Sequence, residues 1–472
     1  MPGSITLRDY QSVMTDGCRK SFAAGHRSPL IVGPTGCGKT VMFSYITQNA
    51  TKKGNKTLIL VHRKELLRQT SRTLDSFGVD HGLIMAGMTL DPRKSAQVAS
   101  VQTLVRRLKV FKWKPDLIIV DEAHHAVGRS TYGTVLLYYP DARIMGFTAT
   151  PERLDGQGLG LQAGGFFDDL IIGPQTSELI DMGYLAKPIV YGSPINIDFS
   201  GVPISIGDLA RKQSEAVIDK PRITGDAVSH YRKLSHKKPA IAFCTSIAHA
   251  EHVAERFRQE GYSSVSIDGT LDDVERKRRI DDLGNGQLNV LTSCDIVSEG
   301  TDIPIVETGI LLKRTLSLAR YLQMVGRTLR VCEGKTNATI LDHVGNVHIH
   351  GFPDDNREWS LVGKKRSRQA DEEANIPTRQ CENCYAVHRP APVCPSCGYV
   401  YEIKGRQIEE VDGELQELDP EVIRLERKRM VSKAKTREEL ERVADELGYK
   451  KGWVNYMLSA RQAKAERYRR RA

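Results

Sequence analysis

The segment GPTGCGKT, residues 33–40, constrains the fold of this chain more than any other stretch. It matches the phosphate-loop pattern G-x-x-x-x-G-K-[ST], follows the apolar run SPLIV and opens a stretch of helical character. Such a loop turns backbone N–H groups towards phosphate oxygens, and the start of the helix adds a favourable dipole. We therefore expect Lys39 to reach the β and γ phosphates of a nucleoside triphosphate and the Thr40 hydroxyl to ligate Mg²⁺. The other loop positions expected at this site are Pro34, Thr35, Gly36, Cys37 and Gly38.

The run DLIIVDEAHH is an aliphatic strand that ends in two carboxylates and two histidines. Its end is either a catalytic edge or a charged surface turn. In a domain with a phosphate loop the catalytic edge is favoured, because phosphoryl transfer needs a metal-holding acid and a positioned water. We expect Asp121 to hold Mg²⁺ through water and Glu122 to orient and deprotonate the attacking water. His125 is expected to be a bystander on the turn.

Both halves of the chain alternate short apolar runs with amphipathic stretches, such as KTLILVH followed by RKELLRQTSRTLDSFG. Strands that are apolar on both faces predict parallel sheets covered by helices on both sides. We therefore expect an α/β fold with two tandem lobes and a ligand cleft between them. The expected domains are lobe 1 (1–190), a connection (191–219), lobe 2 (220–360), a flexible linker (361–379), a four-cysteine element (380–402) and a helical module with a basic tail (403–472).

These segments, with several others, resemble the superfamily 2 helicases and translocases of the DEAH type over roughly residues 5–350. The resemblance implies two RecA-like lobes, ATP as the nucleotide and a nucleic-acid strand that contacts both lobes. LRDYQ resembles the adenine-recognition motif of this family. On that match Gln11 reads the adenine edge and Arg8 supports it.

Further segments resemble the family motifs that contact nucleic acid or sense the nucleotide. LVHRKELLRQ and SVQTL are similar to the strand-binding motifs of the first lobe, and FCTSIAHA and LTSCDIVSEGTDIP to motifs IV and V. The resemblance implies contacts to the polymer backbone from Arg63, Gln102, Thr103, Thr245 and Thr292. GFTATP resembles motif III, which couples nucleotide state to lobe movement. The residues implied in this coupling are His124, Thr148 and Thr150.

QMVGRTLR resembles motif VI and implies that Gln323, Arg327 and Arg330 reach across the cleft, with both arginines as fingers. An arginine finger contributes about 10³–10⁵ in rate in related phosphoryl transfers. The alternative is a solvated basic face of a helix. The implied mechanism is a cycle in which ATP bridges the lobes and hydrolysis releases them, so that closure and opening become stepping along a strand. The motif V positions expected at the nucleotide are Gly300 and Asp302.

CENCYAVHRPAPVCPSCG contains two C-x-x-C pairs. Two such knuckles close a tetrahedral Zn²⁺ site, and in a reducing compartment this spacing favours a metal over disulfides or a redox pair. The site is expected to be structural, and His388 between the pairs is not expected to be a ligand. The predicted zinc ligands are Cys381, Cys384, Cys394 and Cys397.

The segment TREELERVADELGYKKGWVNYMLSARQ is typical of two helices around a turn, with Thr436 and Glu439 as a capping box. Such a hairpin, with Lys450 and Lys451 at its turn, binds DNA or a protein partner, or is only structural. The DEAH-type motifs, the cysteine pairs and this hairpin together resemble the bacterial and bacteriophage RadD-type helicases. That resemblance implies a role in DNA repair and recombination.

The net charge of +10 and the pI of about 9.0 favour a polyanionic partner. No apolar run reaches the roughly 18 residues of a membrane helix, and the N-terminus lacks a secretory pattern. We therefore expect a cytoplasmic protein, in the bacterial cytosol or nucleoid or in a phage-infected cell. The sequence predicts a helicase or translocase on single-stranded or branched DNA. The alternatives are an RNA-dependent ATPase and an ATP-switched mediator that binds DNA or a partner without strand separation.

Overall fold

The computed structural model has two compact units, residues 1–402 and 403–472. The described residues are 5–128, 130–153, 156–192, 199, 201–205, 208–219, 221–294, 306–363, 378–401, 429–434, 436–447, 452–455 and 457–459. Within these ranges no helix combines the length and the apolar character that a membrane span requires.

The first lobe is built on a sheet that has seven strands in the described part of the chain. Along the chain they are β1 (Pro29–Val32), β2 (Thr57–Val61), β3 (His81–Ile84), β4 (Ala96–Ser100), β5 (Leu117–Asp121), β6 (Arg143–Thr148) and β7 (Asp169–Ile172). Their order is β3-β4-β2-β5-β6-β1-β7, and every neighbouring pair is parallel. Every residue of β1, β2 and β4 is buried, as expected for a parallel sheet covered on both faces.

Helices of the first lobe fill the crossovers between these strands. They are α1 (Asp9–Ala23), α2 (Lys39–Lys52), α3 (Lys64–Ser76), α4 (Val101–Arg107), α5 (Thr131–Tyr138) and α6 (Thr176–Asp181). In α3 the side chains of Leu67, Thr70 and Leu74 are buried at helical spacing. This spacing is what the amphipathic pattern predicted.

The second sheet has eight strands in the described part of the chain. The strands that follow the first lobe are β8 (Lys187–Gly192), β9 (Ile204–Ser205), β10 (Asp208–Leu209), β11 (Ala240–Phe243), β12 (Ser264–Ile267), β13 (Val290–Ser293), β14 (Thr308–Leu311), β15 (Asn337–Asp342), β16 (Arg379–Gln380) and β17 (Ala386–His388). The helices are α7 (Arg211–Ile218), α8 (Pro221–Ser235), α9 (Ile247–Gln259), α10 (Asp273–Gly284), α11 (Leu318–Thr328) and α12 (Asn346–His350). The sheet order is β12-β13-β11-β14-β15-β8-β17-β16, while β9 and β10 form a separate hairpin.

Strand β8 belongs to the second sheet. It pairs in parallel with β15 along its whole length, from Lys187 opposite Asn337 to Gly192 opposite Asp342. The lobe boundary expected at residue 190 therefore falls inside a strand of the second lobe. The sequence could not place it correctly, because a short apolar strand does not specify which sheet it joins.

The cysteine-rich element extends the same sheet. Strand β17 pairs antiparallel with β8, placing Ala386 opposite Tyr191 and Val387 opposite Val190, and β16 pairs with β17. The element is therefore attached to the edge of the second lobe by main-chain hydrogen bonds and is not a separate domain.

Residues 352–363 leave the second lobe and pack on the first, and we call this segment the strap. The Gln175 side chain exchanges hydrogen bonds of 3.1 and 3.2 Å with the main chain of Arg357. Backbone N–H groups of the loop after β6 donate to strap carbonyls at 2.9 and 3.1 Å. Trp359 and Leu361 pack against the core of the first lobe. The lobe end expected at residue 360 thus lies within a segment that links both lobes.

The C-terminal unit contains α13 (Arg437–Glu446). The Thr436 N–H donates to Glu439 Oε2 at 3.1 Å, and the Glu439 N–H donates to Thr436 Oγ1 at 3.2 Å. The predicted capping box is therefore confirmed, and Leu440 on this helix is buried. Outside the described residues lie Lys450, Lys451 and the predicted basic tail.

Candidate nucleotide site and cysteine cluster

The phosphate loop lies between β1 and α2, and two of its glycines have positive φ. Gly36 has a φ of 92° and Gly38 a φ of 80°, a conformation that residues with a Cβ adopt only at a cost. A Cβ on Gly38 would also lie 2.4 Å from the side-chain nitrogen of Gln11. Both the turn and its packing therefore require glycine at position 38.

The Lys39 ammonium donates to two carbonyls of the loop, at 3.0 and 3.2 Å.

The loop faces the second lobe across a cleft of about 400 Å³. Predicted site residues on its first-lobe side are Arg8, Thr35, Gly36, Gly38, Lys39, Thr40, Asp121 and Glu122. On its second-lobe side they are Gln323, Arg327 and Arg330. The volume lies within the roughly 300–1,000 Å³ of small-molecule sites. The cleft offers an ammonium, a hydroxyl and carboxylates together, the donor set that a magnesium-bound triphosphate requires, so the residues fit this ligand.

Strand β5 ends at Asp121, and a sharp turn follows at Glu122. Asp121 is buried, and its Oδ1 accepts the backbone N–H of Glu122 at 3.1 Å. Glu122 has a φ of 51°, in the left-handed region that a non-glycine residue occupies at a cost. Backbone strain of this kind persists where the surrounding structure enforces it, and it is concentrated at functional sites. The turn holds both carboxylates at the wall of the cleft.

A path of polar contacts leads from Glu122 to motif III. Glu122 Oε2 lies 3.4 Å from His124 Nδ1, which in turn lies 3.2 Å from Thr148 Oγ1. The Thr148 hydroxyl donates to the Thr150 carbonyl at 2.8 Å and accepts the Thr150 N–H at 3.2 Å. The structure therefore brings the residues assigned to coupling into one connected path that starts at a cleft carboxylate.

Helix α11 forms the second-lobe wall of the cleft. Gln323 and Arg327 on this helix are both buried. Beyond its end the Lys335 ammonium donates to the carbonyls of Thr328 and Arg330, at 2.7 Å for Arg330. Burial lowers the pKa of Lys335 to about 8. A cation that satisfies the last carbonyls of a helix fixes its end, and both arginines stand at this end.

The connection between the lobes also holds α11. Asp208 in β10 is buried and accepts hydrogen bonds from Thr315 Oγ1 at 2.8 Å, from the Leu316 N–H at 2.7 Å and from Arg320 at 2.7 Å. The Thr315 N–H donates to Asn346 Oδ1 at 3.1 Å. A buried carboxylate with three donors fixes the loop that leads into α11. Sequence-based reasoning missed Asp208 because no motif marks it.

The residues assigned to adenine recognition are arranged differently from the expectation. Gln11 is buried, its amide nitrogen donates to the Cys37 carbonyl at 3.0 Å, and its oxygen accepts the Arg8 N–H at 3.0 Å. Its amide therefore braces the phosphate loop and the first turn of α1 instead of lining the cleft. The Arg8 guanidinium lies 4.1 Å from the ring centre of Tyr184, and both residues line the cleft. The sequence-based prediction missed Tyr184, because this residue lies in no motif.

The cysteines of the C-x-x-C pairs form a compact cluster. The sulfur atoms of Cys381, Cys384, Cys394 and Cys397 lie within 4.8 Å of one another, with Cys381 3.6 Å from Cys397 and Cys384 3.8 Å from Cys394. A tetrahedral Zn²⁺ with Zn–S bonds of about 2.3 Å places its sulfurs about 3.8 Å apart. The cluster therefore fits Zn²⁺.

His388 lies beside this cluster with both ring nitrogens in other contacts. Nε2 is 2.6 Å from the Tyr401 hydroxyl and Nδ1 is 2.6 Å from the Arg389 carbonyl. The group of residues that could hold a metal ion consists of the four cysteines.

The chain matches three family models. "Type III restriction enzyme, res subunit" matches residues 4–153, and "Helicase conserved C-terminal domain" matches residues 220–332. The first matched segment contains the phosphate loop, Asp121 and Glu122, and the second contains Gln323, Arg327 and Arg330 on the opposite wall of the cleft. The chain belongs to the superfamily 2 helicases. In this helicase a third model, "Ribosomal L32p protein family", matches residues 363–411, which include the cysteine cluster.

Curated relatives and solved structures agree with this membership. The helicase is 32% identical over 398 residues to a "51.5 kDa protein" of a Lactococcus phage, covering 84% of this chain and 83% of that protein. It is 32% identical over 360 residues to the "Putative ATP-dependent helicase IRC3" of Saccharomyces cerevisiae, covering 72% of this chain but only 51% of the yeast protein. The helicase thus spans about half the length of that yeast relative.

Two solved structures share the fold. A fragment of a putative HsdR subunit of a type I restriction enzyme from Vibrio vulnificus has a TM-score of 0.57 at 21% identity and covers 74% of this chain and 67% of that one. The Type ISP restriction-modification enzyme LlaBIII bound to DNA has a TM-score of 0.54 at 18% identity and covers 72% of this chain and 28% of that one. Identities this low show the fold alone, which is the predicted pair of RecA-like lobes.

The residues expected to contact nucleic acid fall into two groups. Arg63 and Gln102 follow the carboxyl ends of β2 and β4, where Gln102 is exposed and Arg63 and Thr103 are half-buried. Thr245 and Thr292 are buried, and their hydroxyls donate to main-chain carbonyls of the second lobe at 3.3 and 2.7 Å. The expectation for these two side chains is corrected, because they stabilise the interior of the lobe and do not reach its surface. Outside the described residues lie Gly300 and Asp302 of motif V.

Proposed function

We propose that this helicase is a DNA-stimulated ATPase that translocates along or unwinds single-stranded or branched DNA. The observation that carries the proposal is the shared cleft, in which Lys39 and Glu122 of one lobe face Arg327 of the other. The hydrolytic site is complete only when the lobes are together. A strand that contacts both lobes can therefore control the rate of hydrolysis.

Binding of ATP is assigned mainly to the first lobe. The phosphate loop and the Lys39 ammonium would receive the phosphates, while Thr40 and Asp121 would hold Mg²⁺. When bound there, Mg²⁺ would neutralise phosphate charge and orient the triphosphate. Arg8 and Tyr184 present a flat guanidinium and a ring at the cleft wall, which suits stacking by a base.

Hydrolysis is assigned to residues from both lobes. Glu122 orients the attacking water and accepts its proton. Arg327 and Arg330 neutralise the charge that develops on the transferred phosphoryl group. His124 and Thr148 connect Glu122 to motif III, so a change at the γ phosphate can reach the loop that the strap holds. This path is our proposed link between hydrolysis and lobe movement.

The choice of DNA rests on the kind of relatives and on charge. The family model "Type III restriction enzyme, res subunit" matches residues 4–153, and the net charge of +10 favours a polyanion. The DEAH-type motifs beside a four-cysteine cluster support the RadD type, with a role in DNA repair, recombination or replication in the bacterial cytosol or an infected cell. We further propose that the cysteine cluster binds structural Zn²⁺ and that the C-terminal unit binds a protein partner or DNA.

Steady-state ATP hydrolysis tests this proposal directly. The rate is measured without polymer and with single-stranded DNA, duplex DNA or RNA, with Lys39→Ala as the blank. Strong stimulation by DNA and little by RNA is the expected result. Equal or greater stimulation by RNA would assign the protein to the RNA-dependent ATPases. A rate indifferent to every polymer would favour the ATP-switched mediator.

A further inference from the structure

A cavity of about 330 Å³ opens where the second lobe meets the cysteine-rich element. The side chains that matter for its chemistry are Tyr191, His230, Lys233, His343, Gln380 and Tyr385. Gln380 donates to the Gly192 carbonyl at 2.8 Å, and β17 pairs with β8. The cysteine-rich element therefore supplies one wall of the cavity in a fixed position.

The cavity combines flat rings with a cation. His343 is buried, and its Nε2 has no hydrogen-bond partner within the part of the chain that the structure describes. The His343 ring stacks on His230 with centroids 5.2 Å apart and an interplanar angle of 24°. The Lys233 ammonium lies 4.7 Å from the ring centre of Tyr385. Rings that stack on a base, next to an ammonium that pairs with a phosphate, are what a single-stranded nucleic acid requires.

The position of the cavity points to the same class of ligand. Tyr191 and His343 lie at the carboxyl ends of β8 and β15, which are parallel neighbours. Ligands of open α/β sheets bind outside the carboxyl ends of the strands. The segment that follows β11 at this edge carries motif IV, a polymer-binding motif of the resemblance. A strand that follows this edge of the second lobe would reach the cavity.

We propose that this cavity takes one nucleotide of a bound single strand, with its base against the tyrosine and histidine rings and its phosphate beside Lys233. The inference rests on the proposed function, because it presumes that the helicase binds a nucleic-acid strand. It gives the cysteine-rich element a role in binding, since Gln380 and Tyr385 complete the cavity. Loss of the element would remove one wall of the site.

Equilibrium binding of a fluorescein-labelled oligothymidylate to the full chain, followed by anisotropy, tests the inference. Tyr385→Ala is expected to weaken binding about five- to hundredfold, the range for loss of one base–aromatic stack. Lys233→Ala is expected to weaken binding and to reduce the slope of log affinity against log salt by about one. Thermal unfolding of each variant checks that the fold is kept.

Matched controls remove the same chemistry elsewhere. Tyr138 has the same 48% exposure as Tyr385, so Tyr138→Ala is the control for loss of an exposed ring. Lys212→Ala removes an exposed lysine outside the cavity. Both control variants are expected to bind the strand like the wild type.

The outcomes separate this inference from the proposed function. A wild type that binds no strand refutes the proposed function and the inference with it. If the wild type binds the strand and the Tyr385→Ala and Lys233→Ala variants bind it equally well, only the inference is overturned. If the variants lose binding of thymidine monophosphate but still bind the strand as tightly as the wild type, the inference is overturned as well. The cavity is then a site for free nucleotides.

Discussion

Gly326 of α11 packs directly on Thr35 of the phosphate loop. A Cβ at position 326 would lie 2.6 Å from the Thr35 Cβ, which is closer than real Cβ atoms approach. The second lobe thus touches the first at the ATP cleft through a residue without a side chain. The spacing of Arg327 from the phosphate loop depends on this contact.

We therefore expect Gly326→Ala to push the lobes apart and to lower kcat for ATP hydrolysis. A misplacement of about 1 Å can cost about 10²-fold in rate. The phosphate loop itself is unchanged, so ATP binding is expected to remain. The control is Gly284→Ala at the end of α10, where a Cβ would meet no atom within 4 Å. A Gly326→Ala variant with wild-type kcat would show that this contact does not set the catalytic geometry.

Glu122→Gln is expected to bind ATP but to hydrolyse it about 10²–10⁴-fold more slowly, the usual contribution of a general base. The amide keeps the shape of the side chain and cannot accept the proton of the attacking water. Binding is measured with a fluorescent ATP analogue and turnover by phosphate release. Normal hydrolysis by the variant would remove Glu122 from the role of base.

Two ion pairs cross between the lobes beside the cleft. Glu65 of α3 pairs with Arg276 of α10, and Arg68 lies 3.1 Å from Asp273. We expect Glu65→Arg or Arg276→Glu to hinder lobe closure and to raise KM for ATP about fivefold, since a partly exposed pair contributes about 1 kcal/mol. The double variant restores this pair with reversed charges and is expected to regain part of the loss, since the new carboxylate at position 276 would lie beside Asp273.

The control for this charge swap is the pair Asp91 and Arg93, which is exposed and lies within one lobe. Its reversal is expected to leave KM for ATP unchanged. Effects at Glu65 and Arg276 that simply add in the double variant would mean that the two charges do not interact across the lobes.

Replacement of Cys394 and Cys397 by serine is expected to abolish bound zinc, measured by atomic emission, while basal ATP hydrolysis is kept at moderate temperature. The structure adds a second consequence, because β17 of the same element pairs with β8. The thermal unfolding temperature should therefore fall as well. Cys332→Ser removes a cysteine outside the cluster and should retain zinc. Unchanged metal content in the double variant would contradict the zinc assignment.

The parts of the site that were predicted from the sequence are those that a local sequence pattern encodes. The phosphate loop, the acids at the end of β5 and the cysteine pairs each lie within a few residues of one another. Their geometry is set by a single turn, so spacing along the chain is enough to place them. The opposition of Lys39 and Arg327 across one cleft was predicted only through the resemblance to a two-lobed family.

Contacts between distant segments were not predictable from local patterns. The strap and Asp208 act through hydrogen bonds to residues far away along the chain, and no local pattern encodes such partners. Thr245 and Thr292 show the same limit, because a threonine in a short apolar run is compatible with an exposed or a buried position. Packing against distant segments decides between the two: the Thr292 hydroxyl donates to the Ala250 carbonyl of α9, the Thr245 hydroxyl donates to the Leu312 carbonyl, and both side chains are buried.

His343 makes the stability of the second lobe depend on pH. Burial, and next the neighbouring His230, lower the pKa of His343 to about 3. In the unfolded chain a histidine takes up a proton below about pH 6.5, so between about 6.5 and 3 the unfolded state binds more protons than the folded state. The contribution of His343 is therefore fully present above about pH 6.5 and falls by about 1.4 kcal/mol for each pH unit below it.

We expect the free energy of unfolding in urea to decrease more steeply for the wild type than for His343→Gln as the pH is lowered from 6.5 to 5. The difference between the two curves should change by about 2 kcal/mol over this range. Leu137→Ala changes an exposed residue without an ionisable group, so it is the control and should keep the slope of the wild type. Parallel curves for the wild type and His343→Gln would mean that His343 is protonated in the folded lobe at these pH values.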